Sequence, residues 1–398
     1  MARSSKKKGF SRLLLIAGLV VCLLAGAAAG AAGQVFALRP EGYYIPPTET
    51  FTPEASAGEG YEASVITSYD LSIHFLELGN KYTGDCTLVK VGDTEVLIDA
   101  GSTTGSIPTI AAYLGQYVEG ALDYVIVTHA HEDHYAGFAT GEGTDSLFDL
   151  FDCETVITFS QTTSGKEDQR MYRNFERELR EEEENGATVY TAAECVRGEN
   201  GASPVFDLGN GVELQILDSY YYYNRASSEN DHSVCAMVNQ GEGESAKHYL
   251  FTGDLEEDGE EYLVEMNDLP QVDLYKAGHH GSKTSSTNVL LNVIRPEIVC
   301  VCCCTGSPEY TKTNENQFPT QEFIDRVAPY TDKVYATSLC VDYSKGAYTS
   351  LNGNIAVCAN AAGAPVVYAS DNTTLLKDTA WFGENRRMPE AWQAEAAA

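Results

Sequence analysis

Short apolar runs alternate with amphipathic stretches along most of this chain, beginning near residue 69. The runs "CTLVKV" and "EVLIDAG" flank the turn "GD" and predict a β-hairpin. The spacing of apolar residues in "IPTIAAYLGQYV" predicts a helix, and "LDYVIVT" predicts a buried strand. This alternation indicates an α/β fold, in which polar residues gathered at strand ends usually form the functional site.

The same alternation continues to about residue 360. Five further runs predict strands: "VELQILD", "SVCAMVN", "HYLFTGD", "VDLYKAG" and "EIVCVCC". Three more predict helices: "EDQRMYRNFERELREEEE", which we expect to be a solvated surface helix, "EEDGEEYLVEM" and "PTQEFIDRV". The last two apolar runs, "KVYAT" and "NIAVCA", are expected to close the domain as edge strands.

The N-terminus has a different pattern. The basic stretch "MARSSKKKGFSR" precedes 21 residues without a charge, which predicts export of the remaining chain. The apolar segment fits either a retained membrane anchor or a cleaved signal peptide, and both interpretations stay open. We therefore predict an anchor or signal over residues 1–34, a flexible linker over 35–66, one α/β domain over 67–360 and an extension of unassigned role over 361–398. The expected location is the extracellular face, membrane-anchored or secreted.

The charge balance restricts the partners. Lys plus Arg number 26 and Asp plus Glu number 58, giving a net charge of −32. A surface this acidic repels phosphate backbones, so stable nucleic-acid binding is not expected. A small-molecule or phosphodiester substrate is compatible with this charge, and the oligomeric state is left open.

Eleven cysteines need an explanation, and four of them lie in "EIVCVCCCTG". This cluster has no second Cys/His pair at the spacing of a metal site. Because free Cys packs as a small apolar residue, we predict that the cluster belongs to a buried strand. Disulfides elsewhere stay open, since spacing alone cannot assign them.

The stretch "THAHEDHYAG" carries the strongest chemical signal. It places His129, His131, Asp133 and His134 within six residues, directly after the predicted strand "LDYVIVT". Imidazole nitrogens and carboxylate oxygens are ligands for Zn²⁺ and similar ions. Two histidines two residues apart in an extended loop can grip one metal, and the next Asp and His can serve a second. The sequence therefore predicts a metal site.

These residues resemble the signature of the metallo-β-lactamase superfamily. Supporting segments occur later in the chain in the order of that family: "LIDAG", "NDHS", "LFTGD" and "AGHHGSKTSS". The chain is most similar to the hydrolase domain of ComEC-type competence proteins and their free-standing relatives, over roughly residues 69–360. The resemblance implies a four-layer αβ/βα sandwich over the predicted domain, with the site along one edge between the sheets.

The resemblance also implies roles for individual residues. Two divalent cations, Zn²⁺ by preference and Mn²⁺ or Fe²⁺ as alternatives, would be held by His129, His131, Asp133, His134, His232, Asp254 and His280. His279 and His280 compete for one ligand position, and we favour His280. His232 is a departure, since the similar proteins carry Asn there. Asp133 and Asp99 are the candidate catalytic carboxylates, whereas Asp85 and His279 are expected around the metals without binding them.

Two segments are candidates for substrate contact. Ser282 and Lys283, just after the late histidines, are suited to a phosphate oxygen, or they belong to a solvated loop that caps a helix. The tyrosines around Tyr222 are suited to stacking on a base or sugar, or they pack along a strand edge. The family's "GHP" histidine is replaced by Phe318.

Three functions remain in order of preference. The first is an exported two-metal hydrolase that acts on a phosphodiester or nucleic-acid-type bond. The second is a hydrolase of another bond, such as a lactone, thioester or β-lactam. The third is a metal-binding surface protein with weak catalysis.

Overall fold

The computed structural model describes residues 61–393. Its strands in chain order are β1 Leu71–Phe75, β2 Thr87–Val91, β3 Thr94–Ile98, β4 Leu122–Val127, β5 Cys153–Thr158, β6 Thr188–Thr191, β7 Val205–Gly209, β8 Val212–Ile216, β9 Ala236–Gln240, β10 Lys247–Phe251, β11 Leu274–Lys276, β12 Ile298–Thr305, β13 Val334–Asp342, β14 Ala347–Ser350, β15 Ile355–Ala359 and β16 Val366–Ala369.

The helices lie between these strands or after them. In chain order they are α1 Ala63–Ile66, α2 Ile107–Leu114, α3 Glu132–Tyr135, α4 Leu147–Leu150, α5 Arg170–Asn185, α6 Ala192–Arg197, α7 Glu257–Met266, α8 Asn288–Ile294, α9 Gln321–Val327, α10 Ala380–Asn385 and α11 Glu390–Gln393. Within residues 61–393 none of them has both the length and the apolar character needed to cross a bilayer. The predicted N-terminal anchor or signal lies outside the described residues.

The strands build two large mixed sheets. The first has the order β16-β15-β1-β2-β3-β4-β5-β6, and the second has the order β14-β13-β12-β11-β10-β9-β8-β7. The predicted strands and helices are confirmed as elements, including the hairpin β2–β3, which pairs Thr87 with Ile98. The mixed α/β class with two sheets agrees with the predicted sandwich.

Alternating side chains of β12 explain how the second sheet packs. Cys300 and Cys302 join the same apolar cluster as the first sheet, whereas Val299, Val301 and Cys303 face a second cluster with α7, α8 and α9. The Phe75 and Phe251 rings, one from each sheet, lie 6.4 Å apart between centroids in the shared cluster. All eight residues of β12 are buried, so the predicted buried cysteine strand is confirmed. The ten described cysteines are free thiols.

Two predictions about the end of the chain need correction. The runs "KVYAT" and "NIAVCA" fall in β13 and β15, which are interior strands, and the short strands β14 and β16 form those edges instead. Both runs are almost continuously buried, which is typical of interior strands that are covered on both faces of the sheet. The predicted boundary at residue 360 also has no structural counterpart, because β16 extends the first sheet and Phe382 and Trp392 insert into the second cluster.

The topology brings four strand ends together at the site. β3 and β4 run parallel in the first sheet, and β10 and β11 run parallel in the second. Neighbouring parallel strands end at the same edge of a sheet, so each pair places two carboxyl ends side by side. Asp99, the "THAHEDH" loop, Asp254 and His279–His280 come directly after these four ends in that order.

Replacing Phe251 by Ala tests the contact between the sheets. Phe251 is 2% exposed and packs in the cluster that the two sheets share. We expect the free energy of unfolding to fall by about 3–5 kcal/mol, because the substitution leaves a cavity. Urea denaturation measures this loss. The control Val341→Ala removes a β13 side chain that is 63% exposed and should change it by less than about 0.5 kcal/mol. Equal losses in the two variants would contradict this packing.

Candidate metal centre

The first half of the site is the loop between β4 and α3. His129 Nε2 and His131 Nδ1 lie 3.0 Å apart and point at one another. Burial lowers the pKa of both imidazoles, and for His129 the drop is well below the usual range, with His134 adding to it. Both rings are therefore neutral at physiological pH, which is the form that binds a metal.

The second half joins residues from both sheets. One ligand-type atom each of Asp133, His134, Asp254 and His280 lies within 4.8 Å of the others. Asp254 Oδ2 is 3.1 Å from His134 Nε2 and 3.2 Å from His280 Nε2. Asp133 Oδ2 is 3.4 Å from the same His280 nitrogen. The Asp254 oxygen thus lies between two imidazoles.

The side-chain atoms at this point fit a cation. Among the described residues, His134 Nε2, His280 Nε2 and Asp254 Oδ1 are buried without a hydrogen-bond partner. Buried polar atoms of this kind are costly unless something satisfies them. The other ring nitrogens are engaged, since His134 Nδ1 bonds Asp99 Oδ2 at 2.7 Å and His280 Nδ1 bonds the Cys302 carbonyl oxygen at 2.8 Å. Such bonds orient an imidazole so that Nε2 faces a metal.

The electrostatics support the same interpretation. Burial lowers the pKa of His134 and of His280, but nearby carboxylates outweigh burial and raise both pKa values well above the usual range. These carboxylates are Asp254 and Asp99 for His134, and Asp254 and Asp85 for His280. Burial conversely raises the pKa of Asp254, and the two imidazoles outweigh it, holding that pKa well below its usual range. The Asp254 carboxylate is therefore ionised and attracts positive charge. Clustered His and Asp side chains here offer places for two metal ions.

Lys276, at the end of β11, is a buried cation that sequence reasoning missed. Its Nζ forms an ion pair with Asp85 and lies 3.6 Å from Asp254 Oδ1. Asp85 Oδ1 is also 3.2 Å from His280 Nδ1. Asp85 thus contacts both Lys276 and the candidate ligand His280, and its role around the metals stays a prediction. Burial lowers the pKa of Lys276, but the two carboxylates outweigh burial and raise it, so the ammonium stays charged.

Asp99 does not have the position of a catalytic carboxylate. It is 1% exposed, and its oxygens accept hydrogen bonds from the Thr128 amide at 2.8 Å, the Thr128 hydroxyl at 2.7 Å and His134 Nδ1. The prediction that Asp99 is catalytic is corrected. Both of its oxygens accept hydrogen bonds, so the carboxylate orients His134 and cannot reach a substrate. Its φ of +59° is a strained conformation for a residue with a side chain.

The two adjacent histidines differ sharply in environment. His280 is fully buried and faces Asp254 and Asp133, as described above. His279 is partly exposed; its Nδ1 is 3.3 Å from Glu256 Oε1, and its Nε2 is 3.9 Å from Asp254 Oδ2. Both have positive φ, +46° and +54°, which turns the two rings in different directions. This geometry agrees with His280 as the inner residue and His279 at the rim.

His232 lies outside the four-residue group. Its Nδ1 is 3.2 Å from the Tyr221 carbonyl oxygen, and its Nε2 is buried without a hydrogen-bond partner. Burial lowers the pKa of this ring, so it is neutral. Its role as a ligand stays a prediction.

The substrate-contact predictions need correction. Tyr222 is 1% exposed, and its hydroxyl oxygen accepts the Cys235 amide at 2.8 Å, so it is a core residue. Ser282 Oγ and Lys283 Nζ bond Thr284 and Asn316 at 3.1 Å, and neither residue lines the cleft above the metal centre. These polar atoms are satisfied within the protein, which the sequence pattern could not reveal.

The cleft above the metal centre has a volume of about 610 Å³ and is lined by Asp133, Asp254, His131 and His279 among others. Tyr310, in the loop after β12, also lines it and was missed by sequence reasoning. Its hydroxyl donates a hydrogen bond to Asp133 Oδ2 at 2.5 Å. The Phe318 ring, 5.6 Å from that of Tyr310, packs between it and the two late histidines. The only sequence signal was the position of "SPEY" after a predicted strand end.

A second group that the sequence analysis missed holds the "THAHEDH" loop. Glu229 accepts the Ala130 amide at 3.3 Å and both the amide and the hydroxyl of Thr163, at 2.7 and 2.6 Å. The Lys166 ammonium donates to the Ala130 carbonyl oxygen. Ala130 separates His129 from His131, so both polar groups of the intervening residue are fixed by a buried Glu and Lys.

Comparisons with known proteins bear on this geometry. The family model described as Metallo-beta-lactamase superfamily matches residues 79–140, which include the "THAHEDH" loop. Recombination protein 2 of Haemophilus influenzae is 25% identical over 259 residues, which is 64% of this chain and 26% of the relative. The chain thus spans about a quarter of that relative's length. The superfamily resemblance predicted from the sequence is confirmed.

Solved structures are similar at a lower sequence identity. The metallo-beta-lactamase fold protein YhfI from Bacillus subtilis is 12% identical with a TM-score of 0.36, covering 67% of this chain and 95% of that chain. The long form RNase Z from yeast is 13% identical with a TM-score of 0.33, covering 61% of this chain and 38% of that chain. TM-scores of this size carry no statement about activity.

Removing Glu229 tests the support of the metal loop. Glu229→Ala leaves the Ala130 and Thr163 amides without their acceptor, so we expect the free energy of unfolding to fall by about 1–3 kcal/mol. Chemical denaturation measures the change. The control Glu242→Ala, at an exposed position, should change it by less than about 0.5 kcal/mol. A Glu229 variant as stable as the control would show that this carboxylate does not hold the loop.

Proposed function

We propose that this chain, with its superfamily match over residues 79–140, is an exported two-metal hydrolase that acts on phosphodiester bonds. The observation that carries the proposal is the convergence of Asp133, His134, Asp254 and His280 beside the facing pair His129 and His131. Three buried atoms of this group, His134 Nε2, His280 Nε2 and Asp254 Oδ1, have no hydrogen-bond partner. The fold we propose is the four-layer αβ/βα sandwich of the superfamily, with the site at one edge between the sheets.

The ligand assignment corresponds to the two halves of the site. His129 and His131, with His232 as a candidate third residue, would hold one cation, and Asp133, His134 and His280 the other. Asp254 would lie between them. Zn²⁺ is favoured by this donor set, with Mn²⁺ or Fe²⁺ as alternatives. Two cations bound there would supply activation of water near neutral pH and stabilisation of charge on the attacked group.

The chain's own groups prepare the reaction. Asp133 lies at the base of the cleft with one oxygen held by the Tyr310 hydroxyl, which fixes the carboxylate's orientation towards a substrate. Burial and the Asp133 charge raise the pKa of Tyr310, so the phenol keeps its proton and remains a donor. Asp99 and the Cys302 carbonyl hold the imidazoles of His134 and His280 in one orientation. These contacts reduce the reorganisation required during reaction.

A phosphodiester is favoured by the wall of the cleft. The side chains of Tyr82 and Thr103 line it, and their hydroxyls are suited to donate to phosphoryl oxygens. The second candidate is hydrolysis of another bond, such as a lactone, thioester or β-lactam, because the same metal chemistry serves acyl groups. Weak catalysis by a metal-binding surface protein is the third. The N-terminal basic and apolar segment favours a protein outside the cytoplasm, anchored or secreted.

Turnover of three model substrates separates these candidates. The purified chain loaded with Zn²⁺ should hydrolyse bis-p-nitrophenyl phosphate faster than a β-lactam or a thioester. His131→Ala should lower that rate by more than about 100-fold, because it removes a proposed ligand. Faster turnover of the lactam or thioester would favour the second candidate. No turnover of all three by protein with two bound metals would contradict a hydrolase.

The two late histidines provide a matched pair for metal analysis. We expect His280→Ala to lose one bound metal per chain and His279→Ala to keep two, because only His280 is buried against Asp254 and Asp133. Inductively coupled plasma mass spectrometry of dialysed protein gives the counts. Loss of a metal in His279→Ala with retention in His280→Ala would reverse the assignment.

His232→Ala is tested by the same metal analysis, together with titration of metal affinity. A third ligand predicts weaker binding of the cation held by His129 and His131. Unchanged stoichiometry and affinity would remove His232 from the ligand set.

A further inference from the structure

We infer that the cleft selects small phosphodiesters with a single negative charge and discriminates against polynucleotides and substrates with additional phosphates. This inference rests on the proposed function and names its substrate class. Its basis is the charge and size of the cleft above the metal centre, which differ from those that a nucleic-acid channel requires.

The cleft wall provides neutral donors and negative charge. The hydroxyls of Tyr82 and Thr103 line it, whereas those of Ser102 and Tyr310 donate to Asn80 and Asp133. Glu132 and Glu309, the rim acids, line it as well. Among residues 61–393, no Lys or Arg side chain lines it. Proteins that bind nucleic acid without sequence preference instead combine a positively charged groove with stacking surfaces. An additional phosphate group on a substrate would therefore lie near carboxylates that repel it, without a Lys or Arg to bind it.

Four lysines near the site are engaged within the protein. Their partners are the Tyr343 carbonyl oxygen for Lys81, the Ala130 carbonyl oxygen for Lys166, Asp85 for Lys276 and Asn316 Oδ1 for Lys283. Lys166 and Lys276 are also buried, and Lys81 lies 3.9 Å from the centre of the Tyr343 ring. Recruiting Lys166 or Lys276 to a substrate phosphate would break a buried contact within the protein.

Glu309 is fixed at the rim and not free to turn away. Its Oε2 accepts the Thr83 amide at 2.8 Å, which ties the loop after β12 to the segment before β2. Glu132 lies on the first turn of α3, next to the proposed ligand Asp133. Burial raises the pKa of Glu309 to about 7, so its carboxylate is fully ionised above neutral pH. There the two acids repel an added phosphate over a few ångströms, where salt screens the repulsion only partly.

The size of the cleft agrees with a small substrate. A volume of about 610 Å³ falls in the range of small-molecule sites. The rings of Tyr82 and Tyr310 offer faces for a base or another aromatic leaving group. One scissile phosphodiester with its two substituents can occupy such a cleft, whereas a polymer would continue over a chain of net charge −32.

Three thymidine substrates differing in charge test this selection. They are thymidylyl-thymidine, its 5′-phosphorylated form and a single-stranded thymidine oligomer, each assayed with the full chain loaded with Zn²⁺. Every cleavage consumes one water: a new P–O bond forms, the P–O bond to the leaving alcohol breaks, and the alcohol departs with a proton. We expect kcat/KM per bond to be at least about 10-fold lower for the 5′-phosphorylated dinucleotide, and lower still for the oligomer.

Substitution of the rim acids Glu132 and Glu309, and a change in salt concentration, test whether electrostatic repulsion causes the discrimination. In the double variant Glu132→Gln/Glu309→Gln, the ratio between the two dinucleotides should shrink several-fold, whereas Glu184→Gln, an exposed acid of α5 outside the cleft, should leave it unchanged. Raising salt from about 50 to about 200 mM should increase turnover of the phosphorylated dinucleotide, because it screens repulsion.

Binding gives an independent measurement. Fluorescence anisotropy with a labelled thymidine oligomer should yield a Kd weaker than about 100 µM at low salt. Oligomer binding in the micromolar range that weakens with salt, or equal kcat/KM for all three substrates, would overturn the inference while leaving phosphodiester hydrolysis intact. Absence of turnover for all three and for bis-p-nitrophenyl phosphate would instead contradict the proposed function, and the inference with it.

Discussion

Three carboxylates, Asp85, Asp99 and Asp254, are buried within reach of the same few imidazoles, and Asp133 joins them at the cleft. Like charges held this close in a low-dielectric interior destabilise the fold unless positive charge compensates them. Lys276 provides part of that compensation through Asp85 and Asp254. The imidazoles of His134 and His280, whose pKa values are raised, supply more of it. Their Nε2 atoms have no hydrogen-bond partner, so a cation that displaces the imidazole protons would fit there. Metal binding would then be coupled to the stability of the folded chain.

Strand ends and turns of the fold bring these charged side chains together. Parallel pairs in two facing sheets deliver their carboxyl ends to one place, so ligands far apart in sequence meet. The turns that complete the site are strained, with positive φ at Asp99, His279 and His280, and the surrounding hydrogen bonds maintain them. Close backbone approach is also required: a Cβ on Gly101 would lie 1.6 Å from the Asp133 carbonyl oxygen. Glu229 and Lys166 fix the residue between the first two histidines from the other side.

Much of this could be predicted because local patterns determine it. Apolar runs predicted the strands, and the spacing in "THAHEDH" predicted candidate ligands, of which Asp133 and His134 lie close to Asp254 and His280. Long-range packing could not be predicted. The partners of Tyr310, Glu229 and Lys276 are distant in sequence: Asp133, Ala130 and Asp85. None of the three residues belongs to a recognisable local motif. The errors have the same origin: Tyr222 looks exposed in a polar loop, yet its ring is in the core, and the strands taken as edges gain neighbours from β14 and β16.

The central claim is that two halves of the chain assemble one site for two metal ions. Anomalous X-ray diffraction at the absorption edge of the bound metal tests it most directly. The account predicts two anomalous peaks a few ångströms apart, one beside His129 Nε2 and His131 Nδ1 and one among Asp133, His134 and His280, with Asp254 between them. A single peak, or peaks away from these atoms in crystals of protein with two metals bound per chain, would contradict it.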